Sequence, residues 1–162
     1  MPDSETPLLV ARDLVAGYVP GVNILNGMSV DVVPGEVRCV LGPNGTGKST
    51  LLKAMFGFLP TQSGDMRLRG QPVLGTAPHR MGAFGITYLP QRPSVFPFLT
   101  VEVNLRLGTW AFRHDRARVR ERTERALDQF PILRERLRQT AGTMSGGQQR
   151  QLEIARALMG DP

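Results

Sequence analysis

Alternation of apolar and polar positions organises the first part of the chain. Leu8 to Val15 reads as a strand, followed by a turn at Gly17-Tyr18 and a connection through Pro20-Gly21. Ile24 to Val33 holds a second strand with Met28, Val30 and Val32 on one face, and Pro34-Gly35 turns the chain back. Glu36 to Leu41 predicts a third strand whose end is largely apolar. The period then changes: Leu51, Leu52, Met55 and Phe56 fall at helical spacing between Ser49 and Phe58. Pro60 to Gly64 breaks the chain, Asp65 to Leu68 returns as a short strand, and Arg69-Gly70-Gln71-Pro72 turns again. Pro78 to Met81 predicts a helical turn ahead of a β-rich run, Ile86 to Leu89, that ends at Pro90-Gln91. Thr100 can cap a helix, and Val101 to Leu107 begins a mainly helical half that extends through Leu137. Strands in quick succession predict an antiparallel layer, so the fold class is α/β. Residues 1–162 read as one domain, with a β-rich part over 1–91 and a helical part over 92–162.

Between the third strand and the first helix stands Gly42-Pro43-Asn44-Gly45-Thr46-Gly47-Lys48-Ser49, which fits G-x-x-x-x-G-K-[ST]. Chance alone gives this pattern on the order of 0.003 times in a chain of this composition. Glycines let the loop curl so that successive backbone N–H groups face oxygens. Lys48 supplies a compact positive charge for β and γ phosphates, Ser49 offers a hydroxyl to Mg²⁺, and the helix adds its positive dipole end. The ligand implied is a nucleoside triphosphate.

Composition describes an ordinary soluble globular protein, 162 residues with 41% hydrophobic and 21% charged. No run reaches the apolar length that spans a bilayer, and the opening Met-Pro-Asp-Ser-Glu-Thr-Pro is unlike a signal peptide, so the reading places the chain in the cytoplasm. The lone Cys39 falls in the strand before the loop and is expected to be a small buried apolar residue. Nothing suggests a metal cluster. The net charge of +6 is mostly local, with nine arginines against five acids between Arg113 and Arg138. Val119, Thr123, Ala126, Leu127 and Phe130 recur there at helical spacing, with Glu121 four residues before Arg125. That is an amphipathic helix with a solvated basic face; no aromatic residues interleave with the arginines to stack bases, so no nucleic-acid partner is expected.

A second motif, Met144-Ser145-Gly146-Gly147-Gln148-Gln149, precedes a helix that carries Leu152, Ala155, Leu158 and Met159 inward. Ser145 reads as its N-cap. The two glycines make its start either a second anion site or a plain capped helix with a flexible beginning.

The phosphate loop, Gln91 after a strand, Ser-Gly-Gly-Gln-Gln at a helix start and the following Ile154-Ala155-Arg156-Ala157-Leu158 together resemble the ATP-binding subunits of ABC transporters. The resemblance spans nearly the whole chain and implies a phosphate-loop NTPase core with an antiparallel β layer and a helical signature subdomain. It implies ATP and Mg²⁺ as ligands, held by Gly42, Pro43, Asn44, Gly45, Thr46, Gly47, Lys48, Ser49 and Thr50, with Ser49 and Gln91 toward the metal. Ser145, Gly146, Gly147 and Gln148 become the signature, which meets the γ-phosphate of ATP on a partner subunit's loop. Gln91 becomes the residue that senses Mg²⁺ and the attacking water and couples to the membrane subunits. Tyr18 stands where an aromatic stacks on adenine, a position that an ordinary strand-end tyrosine also explains. Met144 replaces the family's leucine and keeps an apolar contact.

Phe130-Pro131, Ala141-Gly142-Thr143-Met144, Val95-Phe96-Pro97, Leu99-Thr100-Val101-Glu102 and Asn104-Leu105 are similar to the ATPases of branched-chain amino-acid importers. The partners implied are a second ATP-binding subunit (identical or related), transmembrane permease subunits and, indirectly, a substrate-binding protein, with the chain on the inner face of the cell membrane. The family continues beyond the signature helix into an apolar strand ending in Asp-Glu, and no such segment occurs here. His79 and His114 precede the signature and are not the family's later switch histidine. The reading therefore expects a chain without the Walker B part, with a sheet edge left unpaired, that binds nucleotide but does not hydrolyse it alone. The alternatives are a short non-hydrolysing nucleotide-binding regulatory module, or a different phosphate-loop enzyme such as a small-molecule kinase, which the signature disfavours.

Overall fold

The computed structural model describes residues 6–19 and 21–162. The chain folds as two compact units, Met1–Phe84 and Gly85–Pro162.

The first unit is built on a four-stranded antiparallel sheet of order β2-β1-β3-β4, from β1 (Leu9–Ala16), β2 (Leu25–Val32), β3 (Thr61–Leu68) and β4 (Gln71–Pro72). In β1 the buried positions are Ala11, Leu14 and Ala16, so simple alternation fails between 11 and 14. A register shift explains it: the ladder to β2 breaks between Ala11 and Leu14, and Asp13 takes φ +50° with its N–H on Ser29 Oγ at 2.9 Å. The same irregularity runs into β3, where Gly64 (φ +116°) lies so close that a Cβ would come within 2.8 Å of Arg12 O. The strand therefore passes through the expected break at Pro60–Gly64 and begins at Thr61, because pairing with β1 overrides local turn composition. Arg69 and Gly70 make the turn, and Gln71–Pro72 pairs back as β4. On β2 the face of Met28, Val30 and Val32 is only partly covered, Met28 being 38% exposed.

Helix α1 (Lys48–Met55) buries Leu51 and Ala54 against β1 and β2, whose Ala11, Leu14, Ala16 and Leu25 are also buried, and Leu52 turns outward. A short α2 (Pro78–Met81) carries Met81 into the interior. Two expected strands are absent. Neither 36–41 nor 86–89 carries a strand, and neither belongs to the sheet. An extended segment becomes a strand only when a neighbour completes its hydrogen-bond ladder; with none of β1–β4 beside 36–41, Val37 and Leu41 remain 89% and 90% exposed. Cys39 is likewise exposed, against the expectation of burial.

The second unit is helical: α3 (Val101–Leu107), α4 (Arg116–Gln129), α5 (Pro131–Glu135) and α6 (Gly146–Leu158). Their apolar faces meet in one core of Val101, Leu105, Ala126, Leu127, Leu133, Ala141, Met144, Leu152, Ala155 and Met159. Thr100 caps α3, its hydroxyl accepting from Val103 N at 3.3 Å. Asp115 caps α4 through Arg118 N at 3.0 Å. The basic face of α4 is solvated as expected, and Arg134 pairs with Glu124 and Asp128 at 2.9 and 2.8 Å. Met144 packs into the core, whereas Leu158, expected inward, is 40% exposed at the end of its helix.

Candidate nucleotide site

Three glycines shape the loop ahead of α1. Gly42, Gly45 and Gly47 have φ of +153°, +87° and +91°, where residues with a Cβ rarely go. Space is short at Gly47 as well: a Cβ there would lie 3.1 Å from Leu25 Cδ2. Lys48, the first residue of α1, reaches back across the curl. Its Nζ donates to the carbonyl oxygens of Gly42 at 2.7 Å and Pro43 at 2.5 Å, and Thr46 Oγ1 donates to the same Pro43 carbonyl at 2.9 Å. Pro43, Asn44, Gly45 and Ser49 are exposed, while Thr50 is buried behind them. The first four N–H groups of a helix have no intrahelical acceptor and carry its positive end. An ammonium, a hydroxyl and a helix start thus share one surface, an arrangement that takes up polyphosphate oxygens.

Tyr18 lies against the same helix. Lys53 Nζ donates to its hydroxyl at 3.3 Å and stands 5.4 Å from the ring centroid. Its phenol is held below the ordinary tyrosine range, first by a hydrogen bond with Thr50 and then by Lys53. The ring remains half exposed, so an aromatic surface flanks the loop's helix.

In the second unit the Ser-Gly-Gly-Gln stretch forms a full capping box. Ser145 Oγ accepts from Gln148 N at 3.4 Å, and Gln148 Oε1 accepts from Ser145 N at 3.1 Å. A Cβ placed on Gly146 or Gly147 would meet nothing within 4 Å. Nothing inside this unit demands glycine there, although glycine costs a helix about 0.5–1 kcal/mol relative to alanine.

Gln91 is exposed at a bend that opens an irregular strap, residues 90–99. Three side chains of α6 that sequence reasoning did not single out hold this strap. Arg150 donates to Pro90 O at 2.9 Å, Glu153 accepts from Ser94 N, and Arg156 donates to Ser94 O and Oγ, both at 2.9 Å. The Glu153 carboxylate is fully buried and takes a second bond from Arg150 at 3.0 Å. Its one signal in the sequence is a charged residue set between the inward positions Leu152 and Ala155. Burial pushes the Glu153 carboxyl up, but bonds from the Ser94 backbone and side chain and from Arg150 outweigh it and hold it below the usual carboxylate range. A carboxyl depressed in the fold stabilises fully above its unfolded pKa of about 4.3 and stops doing so as pH falls through the lower folded value. Urea unfolding across that acid range should therefore show stability falling below about pH 4.3, and Glu153→Gln should flatten the fall.

A phosphate loop opening a helix behind an antiparallel layer, with a second glycine-opened helix, defines an α/β protein of the phosphate-loop nucleotide-binding class. Comparison with known proteins narrows this. The chain belongs to the ABC transporter family, as an ATP-binding domain; the family's model matches residues 25–162. It is 42% identical to the probable branched-chain amino acid transport ATP-binding protein LivF of Archaeoglobus fulgidus, over 90% of this chain and 61% of that one. It is 38% identical to the high-affinity branched-chain amino acid transport ATP-binding protein BraG of Pseudomonas aeruginosa, over 95% of this chain and 65% of that one. Its fold matches the ADP conformation of an ATP-binding cassette of an ABC transporter with TM-score 0.80 and 29% identity, over 97% of this chain and 66% of that one. The chain thus spans about 61–66% of the length of these relatives. Among the described residues no helix is long and apolar enough to cross a membrane.

Proposed function

We propose that this chain is the ATP-binding part of an importer for branched-chain or related amino acids, working on the inner face of the cell membrane beside permease subunits. The observation that carries the reading is the Lys48 ammonium drawn across the loop onto the Gly42 and Pro43 carbonyls at the start of α1. A triphosphate exchanges those carbonyls for β and γ oxygens and gains charge-assisted bonds, with the N–H groups of Gly42 and of Asn44 to Thr50 around it. Tyr18 offers its ring to adenine. Among the described residues no group of three or more His, Cys, Asp or Glu is placed to hold a metal. Mg²⁺ binds beside substrate phosphates rather than in an all-protein cage, and the exposed Ser49 hydroxyl is the oxygen assigned to it. Mg²⁺ supplies neutralisation of the charge that builds on the phosphates.

The signature then serves a second copy. Bare Gly146 and Gly147 N–H groups at the start of α6, with Ser145 and Gln148, meet the γ-phosphate on the other subunit's loop, and Gln91 senses the metal and the attacking water. Closure of the pair drives the permease. The test uses the full-length protein: ATP drives it from monomer to dimer, and with its permease in vesicles it imports leucine in preference to sugars. A protein that stays monomeric with ATP, or transport indifferent to leucine, defeats the reading.

A second reading rests on the absence, within these 162 residues, of an apolar run ending in Asp-Glu. Taken alone, this stretch binds nucleotide without hydrolysing it, because no residue assigned here serves as a base for water. Cooperative unfolding of the 162-residue chain, with a Tm raised by ATP and no phosphate release, supports it. Phosphate release above background by the same chain removes it.

A further inference from the structure

We propose that Glu153 is a positioning residue for Gln91: its buried carboxylate fastens the strap that carries Gln91 to the helix that begins at the Ser145-Gly146-Gly147 signature. The inference rests on the reading of Gln91 and the signature given above and adds to it a residue that touches neither nucleotide nor metal.

Residues 90–99 have almost no regular structure of their own, yet the strap is tied along its length. From α6, Arg150 holds Pro90 O, Glu153 holds Ser94 N, and Arg156 holds Ser94 O and Oγ with its guanidinium 5.4 Å from the Phe96 ring. From the segment just ahead of the signature, Gly142 N donates to Pro97 O and Ala141 N to Leu99 O, both at 2.9 Å. Gly142 has no room for a side chain, since a Cβ would lie 2.9 Å from Pro97 O. The ties to 94, 97 and 99 therefore run to residues on both sides of Ser145, and the strap follows whatever the start of α6 does.

Glu153 is the tie that the fold has least reason to keep for packing alone. Its side chain is 0% exposed on a helix whose neighbouring inward positions, Leu152 and Ala155, are apolar. A buried carboxylate is costly unless its partners satisfy it, and an apolar residue of similar size often does as well for stability. Here the partners are the amide and side chain of Ser94 in the strap, and Arg150, which itself reaches the strap at Pro90. Arg156 adds to the cost, with Nη1 buried and without a hydrogen-bond partner among the described residues. The polar cluster thus spends its bonds on the strap, and Gln91 lies one residue beyond the Pro90 tie and three before Ser94.

The test uses the full-length, ATP-hydrolysing dimer, with Glu153→Ala and the isosteric Glu153→Gln. Hydrogen exchange at the Ser94 amide should rise at least about tenfold in Glu153→Ala, with the Leu14 amide of β1 unchanged. ATP turnover should fall about ten- to a hundredfold through kcat, with the KM for ATP within about twofold of normal. Glu153→Gln, which keeps an acceptor for Ser94 N, should recover part of kcat. In a Gln91→Ala background, Glu153→Gln should have no further effect on kcat, because a residue that works through Gln91 has nothing left to position. An undiminished effect in that background, or an unchanged Ser94 exchange rate beside normal turnover, overturns the role of Glu153 alone. A wild-type protein that neither dimerises with ATP nor hydrolyses it overturns the proposed function and this inference with it.

Discussion

Replacing Lys48 with alanine should lower the affinity for ATP by at least about a hundredfold while leaving the fold in place. The size follows from the bonds at stake: a charge-assisted hydrogen bond is worth about 1.5–3 kcal/mol, and removing two such bonds to phosphate together costs about 3–6 kcal/mol. The fold is spared because, among the described residues, Lys48 Nζ bonds only to the Gly42 and Pro43 carbonyls at the loop surface, whereas α1 is anchored by buried Leu51 and Ala54. Lys48→Arg should not rescue binding, since a planar fork does not replace a compact ammonium inside a tight loop. Lys53→Ala, which removes one of the two partners named for Tyr18 instead, is the control and should cost far less. Calorimetric titration with ATP reads the affinity, and urea unfolding reads the fold. Undiminished ATP affinity in Lys48→Ala removes the loop from the site.

Gly147→Ala should move stability and assembly in opposite directions. No described atom of its own unit lies within 4 Å of a Cβ placed there, so the methyl group meets no neighbour in that unit. The first turn of α6 should gain about 0.5–1 kcal/mol from the lower conformational entropy of alanine in the unfolded chain. In the proposed pair, however, a methyl group there pushes the second subunit's phosphate away from the bare N–H groups. ATP-driven dimerisation of the full-length protein should weaken at least about tenfold, or about 1.4 kcal/mol. ATP binding by the protein's own loop should be untouched. Sedimentation with and without ATP measures the association, and denaturant unfolding measures the gain. Dimerisation at the normal ATP concentration in Gly147→Ala counts against a signature that acts on a partner.

Local chemistry explains why the backbone geometry of the candidate loop and the cap at Ser145 were legible. A loop that needs left-handed backbone must be written in glycine, and a helix start that needs a cap must be written in serine or a similar residue; Gly42, Gly45, Gly47 and Ser145 each satisfy such a demand within a few residues. The capping box at Ser145 and Gln148 and the Thr100 cap of α3 follow from the same short-range logic. Tyr18 was harder, because its place beside Thr50 and Lys53 depends on β1 delivering the following turn to α1.

What the chain determined unaided is therefore the chemistry of its two glycine-opened helix starts, the spacing of its helical faces and the presence of an antiparallel layer, since each arises from neighbours in sequence. What only the tertiary structure decided is which extended segments become strands and which polar groups are buried. Thr61–Leu68 is a strand because β1 lies beside it, whereas the more apolar 36–41 gains no ladder and leaves Cys39 and Leu41 in solvent. Glu153 meets Ser94 across fifty-nine positions of sequence, a pairing that no local pattern encodes. Hydrogen-bond ladders and buried charges are satisfied by partners distant along the chain, and it is folding that brings those partners within reach.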